Sequence, residues 1–152
     1  MAVNPIPAEY GSVTPYLVVN GASGLLDFAK QTFGAQELMS MPGPGGTIGH
    51  AEMRIGDDIV MLADAGPENP ARSAALVLYV NDCDSTYRKA LDAGGTTEME
   101  PEDQFYGDRR AGVQPLEQRD AGHRLRDADP GRHREHGERA DQDGAAAQRL
   151  TA

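Results

Sequence analysis

The sequence predicts an α+β fold built from two βαβββ modules, the second of them truncated, followed by a tail with no core of its own. Three observations carry this. A pattern of strand, cap, helix and glycine occurs twice about sixty residues apart; further strand candidates follow the first copy; and the composition changes abruptly near Arg109 and Arg110.

The first strand is the apolar, β-branched run Tyr16, Leu17, Val18, Val19, and Asn20 after it is a good helix N-cap. Ala22, Leu25, Leu26, Ala29 and Phe33 recur at three- and four-residue spacing, which predicts an amphipathic helix over 21–33. Gly34 can take the left-handed conformation that ends it. Three strand candidates follow at 36–41, 46–55 and 59–64, separated by the breakers at 42–46 and 56–58.

The second copy begins with a strand at 76–80 and a cap at Asn81 or Asp82. Cys83, Thr86, Tyr87, Ala90 and Leu91 form its stripe, and Gly94 closes the helix. A repeated unit of this kind implies a duplicated module whose copies pair about a pseudo-twofold axis. A strand at 96–100 should follow, but no strand-like alternation is visible beyond Arg109, so the second module reads as truncated.

All eight aromatic residues and both lysines precede Arg110. Residues 110–152 hold only Val113, Leu116, Leu125 and Leu150 as large aliphatics. Burial returns about 25 cal/mol per Å² against roughly 1–2 kcal/mol of backbone entropy per residue, so such a segment has little with which to order itself. The expected organisation is a body over 1–109, with module one at about 10–66 and a partial module two at about 74–109, and a disordered or irregular tail over 110–152.

The net charge of −10 belongs to the body, because the tail's eight arginines are matched by eight acids. An acidic body repels phosphate backbones, which argues against a nucleic-acid partner. The N-terminus has no basic and apolar leader pattern and no apolar run approaches membrane-spanning length, so no membrane partner and a cytoplasmic location are expected. The single cysteine, Cys83, reads as a half-buried packing thiol rather than a nucleophile.

Several segments resemble one family. Thr14-Pro-Tyr-Leu-Val-Val, Phe33-Gly-Ala, Met41-Pro-Gly-Pro, Gly49-His-Ala-Glu-Met-Arg-Ile-Gly, Val60-Met-Leu-Ala-Asp and Glu102-Asp-Gln-Phe-Tyr-Gly-Asp-Arg are similar to the PhnB-like branch of the glyoxalase, bleomycin-resistance and extradiol-dioxygenase (vicinal oxygen chelate) superfamily, over about residues 3–109. The resemblance implies paired βαβββ modules, a curved sheet whose concave face holds a small ligand, often beside a divalent metal, and a homodimer. In metal-using members the ligands come from the first and last strands of each module. Carried over by position, those places are Thr14, Met61 and about Ala75, none a histidine or carboxylate, so the usual metal site is expected to be absent.

On the strand over 46–55, Ala51, Met53 and Ile55 share one face, while His50, Glu52 and Arg54 share the other. The polar row could bind a polar or anionic ligand, or act as an acid–base pair with Arg54 holding negative charge; a solvated sheet face with cross-strand ion pairs is the plainer alternative. Gln104, Tyr106 and Arg109 join aromatic surface to polar tips, as small-molecule pockets and interfaces both do. With Met61 these residues are the ligand-binding candidates. His133 and His136 stand three apart in the tail, but Gly131, Gly137 and the missing apolar stripe argue against a helix that would join them at a metal.

The expected function is a small-molecule-binding protein without the usual metal site. The alternatives are a lyase, isomerase or dioxygenase using a divalent metal held by nonstandard ligands such as His50 and Glu52, or a non-functional product with a frame-shifted C-terminus. The last rests on the tail's composition and on its codons. Family members carry a segment like Ala-Thr-x-x-x-Asp-Val-Thr after the second module's hairpin, and codons for residues 126–134 permit it when read from their second base. A genuine disordered extension fits the composition equally.

Overall fold

The computed structural model describes residues 7–115 and 148–151. The frame question and the His133/His136 pair concern residues outside these. The first module is β1 (Tyr16–Val19), α1 (Ala22–Phe33), β2 (Gln36–Pro42), β3 (Ile48–Ile55) and β4 (Asp58–Asp64). The second is β5 (Val77–Tyr79), α2 (Cys83–Asp92), β6 (Thr96–Asp103), β7 (Arg109–Gln114) and β8 (Gln148–Thr151). Each module contributes one four-stranded sheet, in the equivalent orders β1-β4-β3-β2 and β5-β8-β7-β6.

The expected truncation is therefore corrected. β7 continues the second sheet past Arg109, and Gln148–Thr151 fills the closing position between β5 and β7. β7 escaped notice because its buried positions are small: Ala111 is fully buried and Val113 nearly so, with Gly112 between them. A Cβ on Gly112 would lie 3.3 Å from the Cβ of Glu98, so only a minimal residue sits easily against β6 there.

The closing strands run in opposite senses. β4 is parallel to β1 and antiparallel to β3, whereas β8 is antiparallel to β5 and parallel to β7. The cause is chain connection. β3 and β4 are joined by a tight turn at Gly56 and Asp57, which forces an antiparallel pair, while β7 and β8 are separated by residues 115–147, ample for the crossover that a parallel pair needs.

Both helices end as their sequences direct, but α1 starts differently. Gly34 takes a left-handed φ of 67°, and at α2 the Asp82 side chain accepts from the Ser85 N–H at 2.9 Å. At α1 the N-cap is Gly21, φ 80°, rather than Asn20. A cap with no side chain leaves the first amides open, and Asp64 at the end of β4 supplies the acceptor. Its Oδ1 receives the N–H groups of Gly21 and Ala22, both at 2.9 Å, and its Oδ2 receives Ile48 N–H at 2.7 Å.

The core has two parts. Ala22, Leu26 and Ala29 of α1 pack on Ala51 and Met53 of β3 and on Val60 and Leu62 of β4. Phe28 faces the other way and joins Cys83, Tyr87, Ala90, Ala111 and Val113. Helix α1 thus serves both modules, and Phe28, which lies off the stripe predicted for it, is the link. Cys83 is fully buried, and burial raises its thiol pKa, in keeping with a packing role.

Candidate functional site

β3 divides its side chains as its alternation predicts. Ala51 and Met53 go under α1, which leaves His50, Glu52 and Arg54 on the opposite face of sheet one. Register then decides what surrounds them. Glu52 stands opposite Met61 of β4 on one side and Met39 of β2 on the other; His50 stands opposite Met41; and Met61 is paired in turn with Tyr16 of β1. A row Tyr16–Met61–Glu52–Met39 crosses the sheet, with His50 and Met41 beside it.

Glu52 is 8% exposed, although it lies on the face away from α1. Tyr10, from the segment leading into β1, covers it and donates its Oη–H to Oε2 at 2.6 Å, and His50 Nε2 lies 3.2 Å from Oε1. These contacts hold the Glu52 carboxyl below its ordinary pKa, the Tyr10 hydrogen bond contributing most, while burial opposes. The same bond raises the Tyr10 phenol. Around this centre Tyr16, Met39 and Met41 remain 49%, 38% and 52% exposed, and the Tyr16 ring lies 5.8 Å from the His50 ring. The face is thus a buried carboxylate with an apolar, sulfur-rich rim, not a solvated lattice of ion pairs.

The other candidates lie apart from that centre or play different parts. Arg54 occupies the next place along the same face, opposite Gln36 and Ile59, and forms no ion pair among the described residues. Gln104 and Tyr106 belong to the β6–β7 connection on the second sheet, where Gln104 N–H bonds to Asp108 O at 2.7 Å and the Tyr106 ring packs edge-on to the exposed Phe105. Arg109 forks onto Asp84 of α2, with Nη2–Oδ1 at 2.8 Å, and reaches Asp103 at 2.8 Å. That clamp lowers the Asp84 pKa and raises that of Arg109, and it ties the start of β7 to α2 and β6.

A separate cavity of about 260 Å³ lies on the helix side of sheet one, between the modules, lined by Leu17, Leu25, Phe28, Met53, Leu78 and Val113 among others. It does not include His50 or Glu52.

The donor set near Glu52 does not suit a hard divalent cation. Met39, Met41 and Met61 offer thioethers rather than oxygen donors, and both Glu52 oxygens already have partners. Among the described residues no three His, Cys, Asp or Glu side chains are grouped to hold a metal.

Sequence reasoning placed His50, Glu52 and Met61 here but missed Tyr10, Tyr16, Met39 and Met41. The methionines were legible as a period-two pattern in the strand over 36–41. Tyr10 carried no local signal, because its contact spans 42 residues.

Two βαβββ modules, each with a four-stranded sheet and one helix, define a glyoxalase-like protein. The chain belongs to the Glyoxalase/Bleomycin resistance protein/Dioxygenase superfamily, whose family model matches residues 11–134, past the point where the resemblance read from the sequence stops. Uncharacterized proteins of Mycobacterium bovis and Mycobacterium tuberculosis are 37% identical over 120 residues, 72% of this chain and 76% and 68% of theirs. Among solved structures, TioX from Micromonospora sp. ML1 matches with a TM-score of 0.56 at 19% identity, over 93% of this chain and 97% of that one. A PhnB protein from Bacillus cereus, described as a putative 3-demethylubiquinone-9 3-methyltransferase, matches at 0.51 and 18%, over 65% and 87%. At these identities the likeness shows the fold. Among the described residues no helix is long and apolar enough to cross a membrane.

Proposed function

We propose that this chain is a small-molecule-binding protein whose site is the open face of sheet one around Glu52, working without the hard divalent metal of the superfamily's enzymes. One observation carries the reading: a carboxylate only 8% exposed, fixed by Tyr10 and His50, is ringed by exposed Tyr16, Met39 and Met41. Buried charge held in place at the centre of apolar surface is how a pocket orients a ligand with a polar group on an apolar body. Arg54, at the edge of the same face, offers a second polar anchor. A homodimer in the cytoplasm fits the reading, since a second copy would enclose a face that one chain leaves open.

Ligand-observed NMR screening of the full chain against small amines, carboxylates and neutral aromatics tests this. Hits that compete with one another, lose affinity in Glu52→Gln and shift the amide signals of β3 support it. Hits that shift only residues lining the helix-side cavity would overturn it. Sedimentation velocity reads the dimer.

A further inference from the structure

We propose that the cavity between the modules binds a medium-chain aliphatic monocarboxylate, with the chain inside the cavity and the carboxylate on Arg72. This site is separate from the face around Glu52 and takes a ligand of different chemistry.

The apolar part is walled by side chains that do not fill it. Leu17 and Val19 of β1, Leu25 and Phe33 of α1, Ile55 of β3 and Leu76 all border the cavity, and all six pack against the first core cluster while remaining only partly buried. Leu78 and Val113 line it from the second module. An apolar cavity of about 150 Å³ holds benzene, with six heavy atoms, so the volume of about 260 Å³ takes roughly ten, the number in octanoate.

One side of the cavity is polar. A second cavity of about 120 Å³ shares Val19, Asn20, Arg72 and Ser73 with the first and adds Val18 and Ala71. Arg72 thus stands where the large apolar chamber meets a small one. Its backbone N–H bonds to Val18 O at 3.1 Å, which fixes this stretch against β1, while its guanidinium has no ion pair or hydrogen bond among the described residues. A guanidinium presents its donors in a fixed fork that matches the two oxygens of a carboxylate. The Asn20 amide and the Ser73 hydroxyl belong to the same junction and offer further donors.

Charge selects the head group. Glu98 of β6 is the other charged residue of the lining, and it borders the large cavity alone, so the junction carries a positive charge without a negative one. The chain's net charge of −10 opposes the approach of an anion, but at physiological ionic strength that field is screened beyond about 8 Å, whereas contact with Arg72 is local.

The test is titration of the full chain with octanoate at physiological salt, read by calorimetry and by amide NMR. Octanoate should shift Leu78 and Val113 and leave Met39 and Met41, on the open face, unmoved. Hexanoate should bind more weakly, by about fourfold for each methylene lost. Arg72→Gln removes an exposed charge, so it should melt as the parent does while octanoate affinity falls about tenfold. Octylamine, with the same chain and the opposite charge, should bind about tenfold or more weakly than octanoate. Arg88→Gln, on α2 and outside the lining, should change nothing. No binding of octanoate overturns the site, and so do shifts confined to Met39 and Met41. Full affinity in Arg72→Gln, or octylamine binding as tightly as octanoate, also overturns it, because the head group would then owe nothing to Arg72. The reading of the open face is judged separately, by probes whose affinity falls in Glu52→Gln.

Discussion

Tyr10 donates its phenolic hydrogen to Glu52 Oε2 at 2.6 Å, fastening the segment before β1 across the middle of β3. The contact both shields the carboxylate and satisfies it. Replacing Tyr10 by Phe keeps the ring and removes the donor. The Glu52 carboxyl, read by ¹³C NMR titration, should then titrate at higher pH than in the parent, and the melting temperature should fall. An unchanged titration would mean that His50, not Tyr10, governs the carboxylate.

Glu52 also gives an acid limb to stability. Its folded pKa lies below the ordinary value for a glutamate, so the unfolded chain binds the proton more readily. The associated stability is complete above the unfolded value and is lost as pH falls through the depressed folded one. Asp84, which the Arg109 guanidinium holds below the usual carboxylate range, acts in the same sense. Urea midpoints should therefore decline below about pH 5, and Glu52→Gln and Asp84→Asn should each flatten that decline. Tyr10 works on the other side. Its raised phenol pKa gives stability that is complete below pH 10 and lost as pH rises further.

Much of the fold was legible because its signals were local. The two helices, their closing glycines and the hairpin strands of module one follow from apolar spacing and breakers that act within a few residues. The faces of β3 followed from alternation alone. What escaped were relationships between distant segments. Phe28 breaks the apolar stripe of α1 because it serves the other module, and Ala111 and Gly112 bury without announcing themselves as apolar. The site shows the same division: His50 and Glu52 could be read from one strand, whereas their lid and rim depended on how three strands and the N-terminal segment align.

Asp64 shows a cap supplied from across the fold. Its two oxygens accept three backbone N–H groups, from Gly21, Ala22 and Ile48. Loss of an N-cap acceptor costs about 0.5–2 kcal/mol, so Asp64→Ala should cost about 2 kcal/mol or more, since the Ile48 amide is orphaned as well. Asp64→Asn should fall between parent and Ala: its oxygen can still serve Gly21 and Ala22, while its amide nitrogen cannot accept from Ile48. Chemical denaturation of the three proteins measures the order.

Phe28 couples the modules. It is 4% exposed, emerges from α1 and sits among α2 and β7 residues. Phe28→Ala should cost about 3–5 kcal/mol. Hydrogen exchange should also separate the modules, with α2 and β7 amides losing protection before those of β3 and β4. Equal loss in both sheets would show that α1 packing on β3 and β4 already carries the coupling.

Gly95 sets the clearance for that ring. A Cβ there would stand 2.9 Å from Ala90 O and 3.0 Å from Phe28 Cε2, with Gln114 O at 3.3 Å. Two of the three neighbours are backbone, and Ala90 O already accepts the Gly95 N–H at 2.9 Å, so α2 cannot retreat without loosening its own end. Gly95→Ala should therefore destabilise by about 1–3 kcal/mol despite adding a single methyl. Combining it with Phe28→Leu separates the causes. If the aromatic edge is the obstacle, the double variant should be more stable than the sum of the singles predicts. If the Ala90 carbonyl is, the two costs should simply add, and the close approach of backbone to backbone is what reserves this position for glycine.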